Sequence, residues 1–372
     1  MLKKHRVVIV DVINPSQKTE DAVRSLEELK SLVSTYHGID IVNIIQHRTR
    51  PDRATFIGSG KVTELVDIVK KRKIDIVVVN AIVNPSVLFN LTQYLWENNP
   101  KIKIWDRVDL ILNIFDKHAQ TAEAKLQIEL SRMYHMGPRV YGLGLTYFSR
   151  QSGGIGTKGQ GETNIELMKR HWRNQIKLKK DELKKLTTQH QLQIERRKSN
   201  NIQSVSIVGY TNAGKTSLFN YFTKRKKTVE NALFVTLDSV TGKLYLPTLK
   251  KEVTISDTIG FIKDLPTSLI DSFKSTLLES INADLILHVI DIADPEMDQK
   301  IQVVNKILKE LRVRSKKIIY VFNKIDAFSG NGEALLKKIN DIYAPYSPQY
   351  ISVTTDYGIK KLLTQIEKQL TT

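Results

Sequence analysis

Between residues 6 and 105, short β-branched runs alternate with stretches whose apolar positions recur every three or four residues. Residues 6–12, 39–46, 74–79 and 101–105 are predicted strands, and residues 19–36, 61–72 and 84–98 are predicted helices. Near-continuous apolar strands separated by helices predict a parallel sheet covered on both faces, because each crossover helix packs back onto the sheet.

After Asp106 the strand pattern stops. Ala119, Ala122, Leu126, Leu130 and Met133 recur at helical spacing, and a second stripe follows at Ile165, Met168, Trp172, Ile176, Leu183 and Leu186. Two such seams predict an antiparallel helical hairpin. Between them, residues 153–161 are too rich in glycine to pack a core and read as a loop. Polar Ser199, Asn200 and Asn201 close the hairpin, and strand–helix alternation resumes at Ile202. The expected organisation is α/β, with an N-terminal parallel α/β domain (1–117), a helical hairpin arm (118–200) and a C-terminal nucleotide-binding domain (201–372).

The 372 residues have room for such a division, and 41% hydrophobic with 26% charged residues exclude a disordered chain. The net charge is +18, and residues 158–198 hold twelve basic against five acidic side chains. A surplus concentrated on one helix points to a phosphate polymer as partner. With no cysteine, disulfides, thiol catalysis and cysteine-based zinc sites are excluded. The eight histidines are scattered without helical metal-site spacing, and they read as ordinary residues. The apolar run 7–10 is too short for a secretory leader, and 74–83 is interrupted by Asp75 and Asn80. A soluble, cytoplasmic protein without a membrane span is expected, acting as a monomer.

Residues 205–208 form a strand that runs into Gly209, Tyr210, Thr211, Asn212, Ala213, Gly214, Lys215 and Thr216, followed by a helix from Ser217. This is the phosphate-cradling pattern GxxxxGK[ST] in its strand–loop–helix setting, where backbone N–H groups wrap phosphates at a helix N-terminus. Lys215 would reach the β- and γ-phosphates, and Thr216 would ligate Mg²⁺. Asp257, Thr258, Ile259 and Gly260 follow a second strand. There Asp257 can hold Mg²⁺ through water and the Gly260 N–H can meet the γ-phosphate unobstructed. A third strand delivers Asn323, Lys324, Ile325 and Asp326. The Asp326 carboxylate can accept from guanine N1–H and the 2-amino group, donors that adenine lacks at that edge, so GTP is preferred over ATP.

In this order the three motifs resemble the translation-factor class of P-loop GTPases. The resemblance implies that residues 234–238 are the first switch, with Thr236 ligating Mg²⁺ and sensing the γ-phosphate, and that Ser352 and Val353 touch guanine O6. Val353 departs from the small residue usual there. Phe261 stands where many small GTPases carry a water-orienting glutamine, and a phenyl ring has no group for that task, so slow intrinsic hydrolysis is expected. Asn212 matches the asparagine of potassium-stimulated relatives, which makes K⁺ a second candidate cation beside Mg²⁺.

Residues 50–61, 105–107, 125–130, 153–163 and 257–262 extend the resemblance over nearly the whole chain, to the HflX family of the Obg–HflX superfamily. That resemblance implies a GTP-hydrolysing factor that binds the large ribosomal subunit, contacts rRNA through its N-terminal region and arm, and splits or rescues stalled ribosomes in its GTP-bound form. An rRNA-binding assembly or anti-association factor, with the GTPase as a release timer, is the alternative. A helicase-like ATPase is a third reading, against which Asp326 argues at the main site. The family's proposed second nucleotide site, for ATP, would fall at Gly58, Ser59, Gly60 and Lys61. Those residues lack full P-loop spacing and read as a helix-start turn.

Overall fold

The computed structural model describes residues 4–151, 158–225, 234, 239–262, 269, 277–311, 313, 317–327 and 332–371. The chain divides into two compact units, Met1–Lys117 with Leu126–Leu183, and His118–Lys125 with Lys184–Thr372.

In the first unit β1 (His5–Ile13), α1 (Thr19–Thr35), β2 (Gly38–His47), α2 (Ser59–Arg72), β3 (Ile76–Val79), α3 (Pro85–Trp96) and β4 (Lys103–Trp105) follow one another. The sheet order is β2-β1-β3-β4 and every pairing is parallel. Central β1 and β3 bury Val8, Val10, Val77 and Val79 against Leu65, Leu88 and Leu91 of the crossover helices. Val7, Ile9, Ile76 and Val78, on the opposite face of the same strands, are buried as well, which is why those strands read as unbroken apolar runs.

The element α4 (Arg107–His118) was not anticipated by periodicity. Val108, Leu110, Ile111, Leu112, Ile114 and Phe115 are all buried, and so are the charged Arg107 and Asp109, so in its first turn polarity does not mark which face is covered. Its start is held by a reciprocal cap, Asp109 N donating to Asp106 Oδ1 at 2.9 Å and Asp106 N donating to Asp109 Oδ2 at 3.2 Å. His135 Nε2 lies 3.0 Å from that Asp106 oxygen.

The hairpin is formed by α5 (Ala122–Gln151) and α6 (Lys158–Ser199). Trp172 Nε1 donates to Met133 O at 3.2 Å and Lys179 Nζ pairs with Glu129 at 2.9 Å, so positions later in α6 meet positions earlier in α5, as antiparallel packing requires. Two details differ from the sequence expectation. Ala119 precedes α5 and Ala122 is exposed, the buried apolar side chains among the described residues of α5 being Ala124, Leu126, Ile128 and Leu130, with Gln127 and Ser131 buried among them. Helix α6 also begins at Lys158, so helical hydrogen bonding overrides the glycines at 159 and 161, while Gly153, Gly154, Ile155, Gly156 and Thr157 lie outside the described residues.

The second unit contains β5 (Ser204–Gly209), α7 (Lys215–Thr223), β6 (Val240–Leu246), β7 (Lys251–Asp257), α8 (Leu278–Asn282), β8 (Leu285–Asp291), α9 (Met297–Glu310), β9 (Lys317–Asn323), α10 (Gly332–Tyr343), β10 (Gln349–Tyr350) and α11 (Ile359–Thr371). The sheet order is β10-β9-β8-β5-β7-β6, parallel except for the edge pair β6–β7. Strand β6, with exposed Lys243 and Tyr245 alternating with buried Leu244 and Leu246, lacks the apolar run of a central strand because it lies at the edge of the sheet. Parallel β5, β7, β8, β9 and β10 end on the same edge of the sheet, and β5 has β7 on one side and β8 on the other. Such a reversal of strand order opens a crevice at the carboxyl ends. No helix among the described residues is long and apolar enough to cross a membrane.

Candidate functional site

Strand β5 delivers the chain into the loop 209–214, which α7 closes. Gly209 has φ +155°, and a Cβ there would lie 2.2 Å from Val289 O on β8. Gly214 has φ +93°, and a Cβ would lie 2.2 Å from Asn323 Nδ2. Both glycines are therefore required by close approach of neighbouring chain, beyond any turn preference. Asn323 Nδ2 donates to Ala213 O at 3.0 Å, which ties the end of β9 to the loop. Asn212 adopts φ +63°, a left-handed conformation that asparagine tolerates.

The strand β7 brings its terminal residues to the same loop. Thr211 N donates to Phe261 O at 2.8 Å and Phe261 N donates to Gly209 O at 3.1 Å. Phe261 is itself buried, so at this position the chain uses its backbone to hold the loop. Thr258 Oγ1 donates to Ile207 O at 2.7 Å. A Cβ on Gly260 would lie 3.0 Å from Lys215 Nζ and 2.8 Å from Thr211 Cγ2.

Lys215 is buried, and its ammonium donates to Tyr210 O at 2.6 Å. Burial pushes its pKa down to about 8, opposed by the Asp257 carboxylate. His288 on β8 is buried as well, and burial together with the Lys215 charge pushes it down to about 3, which leaves it neutral. Thr216 Oγ1 donates to Asp257 Oδ2 at 2.9 Å. That proton commitment leaves the hydroxyl lone pairs as acceptors beside a carboxylate, a hard-oxygen donor set suited to Mg²⁺. Buried Thr211 Oγ1 and Asn323 Oδ1 have no partner among the described residues, a condition expected where a polar ligand completes the site.

Asp326 is exposed beyond β9. Its carboxyl is held below the usual range by hydrogen bonding from Ser352 and by the Thr354 hydroxyl, which donates to Oδ2 at 3.1 Å. Ser352 N donates to Tyr357 O at 3.0 Å, and Val353 packs on the core. Lys324, at φ +64°, pairs with Asp291 at 2.7 Å.

The structure thus brings together Gly209, Tyr210, Thr211, Asn212, Ala213, Gly214, Lys215, Thr216, Asp257, Thr258, Gly260 and Asn323, while Lys324, Asp326 and Ser352 stand on the adjacent loops. Ser217 and Ile259 flank these groups in α7 and after β7. Thr236, with Val235, Leu237 and Asp238, lies outside the described residues. Sequence reasoning missed Asp291 and Thr354. Asp291, the last residue of an apolar parallel strand, carried a positional signal; Thr354 had only its place two residues after Ser352.

Family models match along the chain: "GTP-binding GTPase N-terminal" at residues 23–116, "GTP-binding GTPase Middle Region" at 118–197 and "50S ribosome-binding GTPase" at 204–324. The chain is 41% identical over 372 residues to the GTPase HflX of Caldanaerobacter subterraneus subsp. tengcongensis, covering 99% of this chain and 81% of that one. It is 36% identical over 305 residues to the GTPase HflX of Escherichia coli K12, covering 82% and 70%. In fold it is similar to a GTP-binding protein from Sulfolobus solfataricus solved in complex with GDP, at TM-score 0.52 and 23% identity over 98% of each chain.

Proposed function

This chain belongs to the HflX family of GTPases and so binds and hydrolyses GTP; from that premise we propose that its nucleotide state controls its grip on the large ribosomal subunit. In this reading the backbone of residues 209–217 cradles the phosphates, and Lys215 moves from Tyr210 O to the β- and γ-phosphates. Gly260 meets the γ-phosphate through its N–H, and Asn323, Lys324 and Asp326 hold the guanine with Ser352 and Val353. Thr216, Asp257 and Thr236 would hold Mg²⁺, which supplies neutralisation of phosphate charge. Asn212 would help hold K⁺. The observation that carries the site assignment is the convergence of Lys215, Thr216, Asp257 and Gly260, with Thr216 and Asp257 2.9 Å apart.

Hydrolysis by the isolated protein is slow, because the residue after Gly260 is a buried phenylalanine with no group to orient water. Contact with ribosomal subunits supplies the missing order. The basic surplus on residues 158–198 supports rRNA phosphate as what the arm lies on, within a division into N-terminal domain (1–117), arm (118–200) and GTPase domain (201–372). Affinity then splits or rescues ribosomes in the triphosphate state and lapses after hydrolysis.

The test is GTP turnover with and without large subunits, in potassium and in sodium, alongside subunit affinity in the empty, GDP and GTP-analogue states. Stimulation by subunits and tighter binding with the analogue are expected. Equal affinity in all three states would overturn the switch, and full splitting of ribosomes by Lys215→Ala without nucleotide would do the same.

A further inference from the structure

Glu279, the second residue of α8, is 4% exposed, a depth at which a carboxylate needs cations against it. Helix α6 supplies two of them to one oxygen: Arg197 Nη2 donates to Glu279 Oε1 at 2.6 Å, and His190 Nε2 lies 3.1 Å from the same atom. The other ring nitrogen of His190 is 3.6 Å from Glu123 Oε2, in the first turn of α5. Hydrogen bonding to Glu123 and Glu279 pushes His190 up to about 9, which makes it an imidazolium at neutral pH. Burial raises Glu279, but the hydrogen bonds from His190 and Arg197 outweigh it and hold the carboxyl below its usual range. Lys198 Nζ adds a hydrogen bond to Asn282 Oδ1 at 3.0 Å.

The same short helix is fastened on its other side to the P-loop strand. Ser280 Oγ lies 2.8 Å from Ser206 Oγ of β5, both fully buried, and just beyond α8 the Asp284 carboxylate accepts from Ser204 N at 2.7 Å. In chain order α8 follows Gly260. One element of five residues therefore stands between the strand that enters Gly209 and the last turns of α6.

We propose that the Glu123–His190–Glu279–Arg197 cluster couples the nucleotide site to the C-terminal turns of α6, so that displacement of α8 carries residues 184–199 with it. This rests on the assignment of Gly260 as the γ-phosphate contact. The physical reason is that a buried carboxylate separates from its cations only at high cost, so the two helices move together more readily than they part. Apolar packing alone would allow α8 to slide, whereas two donors converging on one oxygen fix its position against α6.

The experiment is amide hydrogen exchange on the full chain loaded with GDP or with a non-hydrolysable GTP analogue, reading peptides within residues 184–199. Wild type is expected to show a difference of about threefold or more in exchange between the two states. Glu279→Gln is expected to keep both nucleotide affinities and lose that difference; should this variant fail to fold, His190→Gln carries the same expectation. A nucleotide-dependent difference that survives in the variant overturns the coupling and leaves the cluster a stabilising ion pair. So does a wild type that binds both nucleotides without any difference. Failure to bind either nucleotide would instead strike the site assignment, and the coupling with it.

Discussion

Thr216 Oγ1 donates its proton to Asp257 Oδ2 over 2.9 Å, joining the first turn of α7 to the last residue of β7. Two segments far apart in the chain thereby present a hydroxyl and a carboxylate oxygen side by side. Thr216→Ala removes the hydroxyl together with its hydrogen bond to Asp257. Hydrolysis should fall about 10²-fold, and the gain in nucleotide affinity on adding MgCl₂ should disappear. Phosphate release and nucleotide titration with and without magnesium check both.

Gly260→Ala places a methyl group 3.0 Å from Lys215 Nζ and 2.8 Å from Thr211 Cγ2. In the proposed function Gly260 meets the γ-phosphate, which the diphosphate lacks, so GDP affinity should change little. Analogue affinity should drop, and turnover should fall about tenfold to a hundredfold. Equal losses for GDP and the analogue would contradict this account.

Asp326 accepts from Thr354 at 3.1 Å and faces solvent where a base can reach it. Asp326→Asn exchanges an acceptor for a donor at that edge. Guanine nucleotides should bind about 10²-fold more weakly, while xanthine nucleotides, which offer a carbonyl where guanine has its amine, should gain. Competition with XDP and GDP reads the exchange directly.

Lys215 is depressed to about 8 by burial in the free site, from an ordinary value of 10.5. Phosphates restore the ammonium, so nucleotide binding takes up a proton above pH 8 and affinity declines with pH there by up to about tenfold per unit. For the empty protein the sign is opposite: between these two values the unfolded chain holds the proton that the folded one has lost, so stability rises with pH. Calorimetry at about pH 8.5, in buffers of different ionisation enthalpy, should register the uptake.

His190 is raised to about 9 by Glu123 and Glu279. Its contribution to stability is complete below about pH 6.5 and is lost as pH rises through about 9. After allowance for solvent screening it amounts to about 1–2 kcal/mol. Thermal or urea unfolding of wild type and His190→Gln across pH 6 to 10 should converge at the alkaline end.

The elements legible in the sequence are those whose signal is local. Strands β1 and β3, covered on both faces, and helix α1, covered on one, carry their burial in their residue order. The phosphate loop was legible because Gly209 and Gly214 stand where neighbouring chain leaves no room for a Cβ. Helix α4 and edge strand β6 escaped for the opposite reason, since each departs from the burial its neighbours have.

By itself the sequence determined the α/β character of both sheets, the antiparallel arm, its basic surplus and the identity of the motif residues, all of them properties of spacing and composition. Tertiary structure decided which groups meet: Thr216 with Asp257, Lys324 with Asp291, Asp326 with Thr354, and Glu279 with His190 and Arg197. Strand order is set by how helices cover the sheet, and only that order brings the carboxyl ends of β5, β7 and β9 to one edge. A hydrogen bond between residues 41 or 82 positions apart depends on that assembly and leaves no trace in either local stretch of chain.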